Sequence, residues 1–385
     1  MTKRSNLLIF ILTLGVFALI NTEMGIVGLL PLISKNFLVS VTAAGLLVSL
    51  FALAIAVSGP TLPLLFSGIN RKTVMLLVLG IFLLGNLVSA FASNFTVLLI
   101  ARVIPAFFQP VYVSLAFTAA AASVSKEEAP KAVSKVIMGV SAGMVLGVPI
   151  TSFIASVTSL RIGMLFFALV TAIVFLATIL LVPSMPVQER LSYGTQLSVL
   201  KRSITWVSVI TIIFINGSIF GVFSYLAEYL KAVTNVTAQI SSLLLLVYGV
   251  ANIFGNIIAG RLLSRSAIKF VTAFPFALGA VYIILFLTGR FTVPMALITL
   301  AWGILAGAGA NINQYWIASA APEAPDLANG LFLTAANLGT TIGTAVCGLL
   351  ISGIGTQYIV LGGLLFVILS FASILLSNTI RARIV

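Results

Sequence analysis

The stretch LLIFILTLGVFALINTEMGIVGLLPLI, residues 7–33, contains a single ionisable group, Glu23. A bilayer hydrocarbon core about 30 Å thick is crossed by about 20 apolar residues in helical form, so this run is long enough to span it. The run is too long for the apolar region of a secretory leader, lacks a small-residue cleavage site and leads directly into a second apolar run. It is therefore read as a retained first span. Eleven further runs follow at 43–66, 73–93, 96–123, 133–158, 163–182, 204–230, 238–263, 270–288, 292–319, 327–353 and 357–379. Lipid offers backbone groups no partner, so each run is expected to be a helix. The expected fold is an all-α integral membrane protein with twelve transmembrane helices.

Composition agrees with that count. Apolar residues make up 61% of the 385 and charged residues 7%, against about 25% charged in ordinary soluble domains. So few charges cannot cover the surface of a soluble fold. A soluble enzyme and a disordered chain are both excluded. There is no His, which removes the usual proton shuttle and the commonest metal ligand. A single Cys, Cys347, leaves no internal disulfide and no Cys-based metal site. No phosphate-cradling loop or metal-ligand spacing occurs, so no cofactor or metal is expected and the chain itself does not use ATP.

The net charge of +13 is a topology signal and not a nucleic-acid footprint. With the N-terminus inside, the inner segments hold Lys3, Arg4, Arg71, Lys72, Lys126, Lys131, Lys135, Arg190, Lys201, Arg202, Arg261, Arg265, Lys269, Arg381 and Arg383. The outer segments hold only Lys35, Arg161, Lys231 and Arg290, and Arg102 falls within a span. The excess of basic groups on one side predicts that both termini are cytoplasmic. These groups are also suited to contact anionic lipid.

The longest polar stretch, 183–203, divides the chain into two sets of six runs, 1–182 and 204–385. The sets share a register near 195 residues: Ile20-Asn21 with Ile215-Asn216, Phe95-Thr96-Val97 with Phe291-Thr292-Val293, Ala129-Pro130 with Ala324-Pro325, and Gly143 and Gly147 with Gly339 and Gly343. Four matches in one register point to duplication. Two pseudo-symmetric six-helix bundles follow, with a binding site near the midplane between halves that rock.

Several motifs carry a family resemblance across essentially the whole chain. The loop after the second run reads Gly59-Pro60 through Asn70-Arg71-Lys72, with Ser67-Gly68 where an acid–base pair is usual, and Gly260-Arg261-Leu262-Leu263-Ser264-Arg265 repeats the pattern. Span 4 carries Arg102, with Pro105-Ala106 after it. Span 5 reads Gly139-x3-Gly143-x3-Gly147-Val148-Pro149, and span 1 reads Thr22-Glu23-Met24-Gly25 to Leu29-Leu30-Pro31. These segments resemble the major facilitator superfamily, in its twelve-span drug/proton antiporter branch, with a first span similar to purine-, sugar- and drug-efflux members. The resemblance implies proton-driven export of a small molecule by alternating access, in a bacterial plasma membrane, by a monomer. It also implies that spans 1 and 4 line the central cavity.

Only seven carboxylates are present, and five of them (Glu127, Glu128, Glu189, Glu323 and Asp326) fall in inner loops. Glu228 precedes Lys231 by three residues, the spacing of an interfacial ion pair. Glu23 alone is deep, about 15 Å from the end of its run at Ile33. Arg102 lies about 11 Å along its helix from Phe95. The two are expected at similar depth and within bonding or one-water distance in some state. Ionisable groups at such depth face a cavity or a partner, and Glu23 is the one well-placed proton carrier. Helix packing by Glu23, or backbone bonding by Arg102, are the structural alternatives.

Substrate contacts are expected from Asn21, Gln109 and Tyr112 in the first half. In the second half they are expected from Asn216, Tyr248, Asn252, Trp302, Asn311, Gln314 and Asn337. Each of these polar groups can instead bond a neighbouring helix. Gly139, Gly143 and Gly147, with Pro149, form a bare stripe suited to close helix approach. The expected function is proton-coupled efflux of a drug, nucleoside, purine or sugar. A facilitator, an importer, and a receptor or scaffold without transport remain open, the last disfavoured by short loops.

Overall fold

The structure is a computed structural model that describes residues 3–66, 68–125, 128–186, 196–322 and 325–384. Ser67, Lys126, Glu127, Glu189, Arg190 and Glu323 lie outside the described residues, as does the middle of the expected 183–203 loop. All regular structure among the described residues is helical. Twelve helical spans run Arg4–Phe37, Val41–Ser58, Arg71–Ala90, Phe95–Ala122, Lys135–Val157, Leu160–Leu181, Ser203–Ala232, Ala238–Leu263, Arg265–Thr288, Thr292–Ala320, Gly330–Ile354 and Thr356–Ile380. They are numbered spans 1 to 12. An even number of crossings leaves both described ends on one side, called here the termini face.

Where the boundaries differ from the sequence expectation, proline and local backbone geometry account for it. Span 2 ends at Ser58 and not near residue 66, followed by a short helix at Leu62–Leu65. Pro60 has no N–H to give to the Ala56 carbonyl, and the Thr334 hydroxyl of span 11 donates to that carbonyl instead, at 3.3 Å. Span 4 is two helices, Phe95–Ala106 and Gln109–Ala122, broken between Pro105 and Pro110. Span 3 passes tightly against this bend at Gly85, where a Cβ would fall 2.6 Å from the Pro105 ring. Spans 8 and 9 form one continuous helical run, interrupted only at Ser266, whose φ of −160° and ψ of 70° turn the chain. Two asparagines shape the connections between spans. Asn94 caps span 4 by accepting from Val97 N–H at 2.9 Å, and Asn235 takes a left-handed conformation after span 7.

The duplication read from sequence reappears as packing. Gly143 and Gly147 of span 5 meet Ile20 and Asn21 of span 1. Gly339 and Gly343 of span 11 meet Asn216 and Gly217 of span 7. The same register thus produces the same helix pair twice, with glycine allowing the close approach in each.

The first six and last six spans meet along two seams. Span 2 and span 11 touch along their length: Thr42 donates to Gly348 O at 2.7 Å and Thr341 donates to Ser49 O at 3.1 Å. Span 5 and span 8 meet through Ser152 and Ser242, whose hydroxyls bond at 2.9 Å, and through Gly249 against Val145. Far from the termini face, the Tyr225 ring lies over the bare surfaces of Gly45 and Gly348. At the termini face, Gly260 and Gly330 meet nothing within 4 Å. Near that face the halves still touch, through the Thr334 hydroxyl and the Ala56 carbonyl.

Candidate functional site

The centre of the first half is organised by Arg102, which is only 2% exposed. Its Nη2 donates to the Thr22 carbonyl at 2.6 Å. The guanidinium also lies over the rings of Phe51 (5.6 Å) and Phe167 (5.8 Å), a cation–π arrangement strengthened by desolvation. Asn86 of span 3 ties the Thr22 hydroxyl to that of Thr171, each at 3.2 Å. Spans 1, 2, 3, 4 and 6 thus converge on one buried cation. Nε and Nη1 of Arg102 have no hydrogen-bond partner. The guanidinium bonds the backbone one residue before Glu23, and not the Glu23 carboxylate.

Glu23 is half-buried, and Gln109 Nε2 donates to its Oε2 at 2.5 Å. Seven residues would separate Arg102 and Gln109 by about 10 Å along a straight helix. They nevertheless reach adjacent residues of span 1, because span 4 bends between them. Next to Glu23, Met24 lines a pocket between the halves with Met144, Val145, Phe220, Phe223, Tyr248, Gly249 and Asn252. Unbranched Met side chains adapt to irregular shapes, and the wall facing them is aromatic. The expected contacts Tyr248 and Asn252 both line this pocket, whereas Glu23 and Gln109 are not among its lining residues.

Other expected contacts are placed elsewhere. Trp302 is fully buried behind Tyr248, Phe223 and Tyr282, with ring centroids 5.2 to 6.4 Å away; it backs the pocket wall instead of lining it. Asn216 donates to Ala336 O at 2.8 Å and accepts from Asn313 at 3.0 Å, joining spans 7, 10 and 11. Asn311 donates to Asn256 Oδ1, and Asn256 to Asn252 Oδ1 at 3.0 Å, so the span 8 and span 10 stripes bond each other. Asn337 donates to Leu333 O in its own helix, and Gln314 is exposed. Asn21 and Tyr112 are fully buried; Asn21 packs on Gly147 and Tyr112 on Gly15. The side-chain polar atoms of both lack protein partners. Glu228 keeps an electrostatic interaction with Lys231, as its spacing predicts, but is more buried than an interfacial pair requires. It is 8% exposed with one oxygen buried and unpartnered, because span 7 breaks near Ser224 and its last turns, Leu226–Ala232, pack against span 1.

A family profile described as Major Facilitator Superfamily matches residues 12–325. The chain belongs to the major facilitator superfamily. It is 33% identical to the uncharacterized MFS-type transporter YtbD of Bacillus subtilis, over 92% of this chain and 91% of that protein. It is 25% identical to a probable sugar efflux transporter of Helicobacter pylori, over 91% and 90%. The fold matches the crystal structure of a bacterial homologue of the human lysosomal transporter Spinster in its inward-facing, occupied conformation. The TM-score is 0.82 at 16% identity, covering 98% of each chain. This major facilitator is a multi-pass transporter of the plasma membrane.

Sequence reasoning missed several residues of this facilitator's core. Asn86, Thr171, Phe51 and Phe167 enclose Arg102, and Asn313 bonds Asn216. Asn86 carried a signal, as the one amide in an otherwise apolar span 3. The Asn256–Asn311 bond gives a prediction. Replacing Asn311 by Leu should lower stability by roughly 0.6 to 2 kcal/mol, the usual range for an interhelical hydrogen bond, and leave transport intact. Thermal unfolding and flux on the same purified variant check this. Lost flux at unchanged stability would instead make Asn311 a substrate contact.

Proposed function

We propose that this transporter exports a small organic molecule in exchange for protons, acting as a monomer with its termini in the cytoplasm. The carrying observation is Glu23. It is the one carboxylate deep in the first half, it is half-buried and next in the chain to Met24 of the pocket between the halves, and Gln109 holds it. Gln109 serves both protonation states. Its Nε2 donates to the carboxylate, and its Oε1, buried and without a partner, can accept from the carboxylic O–H after an amide flip. Proton uptake then removes a charge next to the Arg102-held turn of span 1. Such a change biases a two-state equilibrium only if the states differ in affinity for the proton. Spans 1–6 and 7–12 are the two bodies proposed to rock, joined by the 183–203 segment. The basic residues of the termini face support the orientation. Efflux is supported by the Helicobacter pylori relative, a probable sugar efflux transporter, and drugs, nucleosides, purines and sugars are the substrate classes proposed.

A facilitator without proton coupling is the second reading, and one observation favours it: Arg102 bonds a backbone carbonyl and not Glu23. Flux in reconstituted vesicles separates the two. A panel of drugs, nucleosides and sugars is offered with and without a pH gradient. Gradient-driven accumulation of at least one compound is expected. Wild-type flux that ignores the gradient would leave the facilitator.

A further inference from the structure

At the termini-face ends of spans 1, 4 and 6 lies a second cavity, of about 190 Å³, lined by Arg4, Ser5, Leu8, Ser123, Leu181 and Pro183. It is well separated from the pocket at Met24: Arg4 is the first residue of span 1, Ser123 follows span 4, and Leu181 and Pro183 close span 6. A liquid water occupies about 30 Å³, so the space is several waters large. Arg4 supplies its cation, the Ser5 hydroxyl donates to Ser123 O and the Ser123 hydroxyl to Ala120 O, each at 2.8 Å, and Leu8 is buried one turn further along span 1. Among the described residues, no carboxylate lines it.

Two further basic groups reach spans 1 and 6 near this cavity, although neither lines it. Lys135 donates to Asn6 Oδ1 at 3.1 Å, two residues from Arg4. Lys72 donates to Ile179 O at 2.8 Å, two residues before Leu181. Among the described residues Arg4 itself has no hydrogen-bond or ion-pair partner. The flank beside the cavity is exposed hydrocarbon: Leu7, Leu180 and Leu181 are 43%, 76% and 51% exposed. The Arg4 guanidinium at the end of three spans, beside exposed leucines, is complementary to a phosphodiester with acyl chains attached. A soluble anion would use only the guanidinium.

We infer that this cavity binds the headgroup of an anionic phospholipid, with its acyl chains along Leu7, Leu180 and Leu181. Basic pockets between spans suit such headgroups. The bound lipid would hold together the termini-face ends of spans 1, 4 and 6.

The test uses the full-length protein in phosphatidylcholine vesicles, with and without phosphatidylglycerol. Lipid retained after extraction is counted by native mass spectrometry, and thermal unfolding is followed in parallel. Wild type should retain phosphatidylglycerol and be stabilised by it. Arg4→Gln should weaken retention about fivefold, the effect of one basic group near an anionic surface. Arg161→Gln, at the opposite face, should not. Ser123→Met keeps every charge but fills the cavity, so it should also weaken retention; it decides the matter if Arg4→Gln folds poorly. Equal losses in Arg4→Gln and Arg161→Gln would overturn the site in favour of general surface attraction. Inorganic phosphate in phosphatidylcholine vesicles should not stabilise the protein. If it stabilises as well as phosphatidylglycerol does, the cavity takes a free anion and the lipid assignment is wrong.

Discussion

Glu23→Gln should leave the protein folded and remove the response of transport to an imposed proton gradient. Gradient-driven flux is expected to fall at least about tenfold, equivalent to ~1.4 kcal/mol. Substrate counterflow, which needs no net proton movement, should stay within a few-fold of wild type. The substitution is nearly isosteric, and the Gln109 amide retains a hydrogen-bonding partner at position 23. Folding should not suffer, because Gln has the same shape, can hydrogen-bond at the same place and carries no charge to desolvate. This separates the proton-carrying role from packing. A packing Glu23 would leave gradient-driven flux intact in the variant, and that result would sink the coupling proposal. A double-mutant cycle adds Arg102→Ala. Arg102 holds the Thr22 carbonyl, so its loss should loosen the turn that positions Glu23, and the two effects on coupled flux should not add. Full additivity would mean that Arg102 serves only the packing of the first half.

The fold was readable in the sequence because lipid imposes two simple constraints. Each crossing needs an apolar run of fixed length, and basic residues gather on one side. Repeat matches such as Ile20-Asn21 with Ile215-Asn216 were equally legible, and they reappear as the span 1–5 and span 7–11 contacts. Periodicity could not assign individual amides, because a stripe fixes a helix face but not what lies opposite it. Asn252 lines a pocket and Asn256, one turn on, bonds Asn311; both sit on the same stripe of span 8. Trp302 was expected at the substrate, yet three rings from spans 7, 8 and 9 enclose it. Arg102 was placed at the right depth, but its partner is a carbonyl that no residue-type pattern encodes. Glu228 was assigned from its spacing to Lys231. The break in span 7 that buries it depends on packing against span 1, which local spacing does not carry.

Gly143→Leu should abolish transport, because the space it needs is already filled by the segment that carries Glu23. A Cβ on Gly143 would lie 2.7 Å from Ile20 Cβ, 2.8 Å from Ile20 Cγ2 and 3.2 Å from Asn21 N. Ile20 is β-branched and stiff, so span 1 itself must move. Overpacking by even a few methylenes typically costs about 1–3 kcal/mol. Gly143→Ala should therefore lower stability and reduce flux in part, and Leu should push spans 1 and 5 apart. Gly343→Leu should act alike in the second half, where a Cβ would meet the backbone of Gly217, with Cα at 2.7 Å. Gly353 provides the control: nothing lies within 4 Å of a Cβ there, so Gly353→Leu should transport normally. Flux is normalised to folded protein by size-exclusion elution and thermal unfolding. In the partly active Gly143→Ala, the displaced span 1 also shifts Glu23 relative to Gln109, so gradient-driven flux should fall further than counterflow. A Gly143→Leu protein that elutes, unfolds and transports like wild type would show that spans 1 and 5 need no such contact, and with it would fall the case for a glycine seam fixing the position of Glu23.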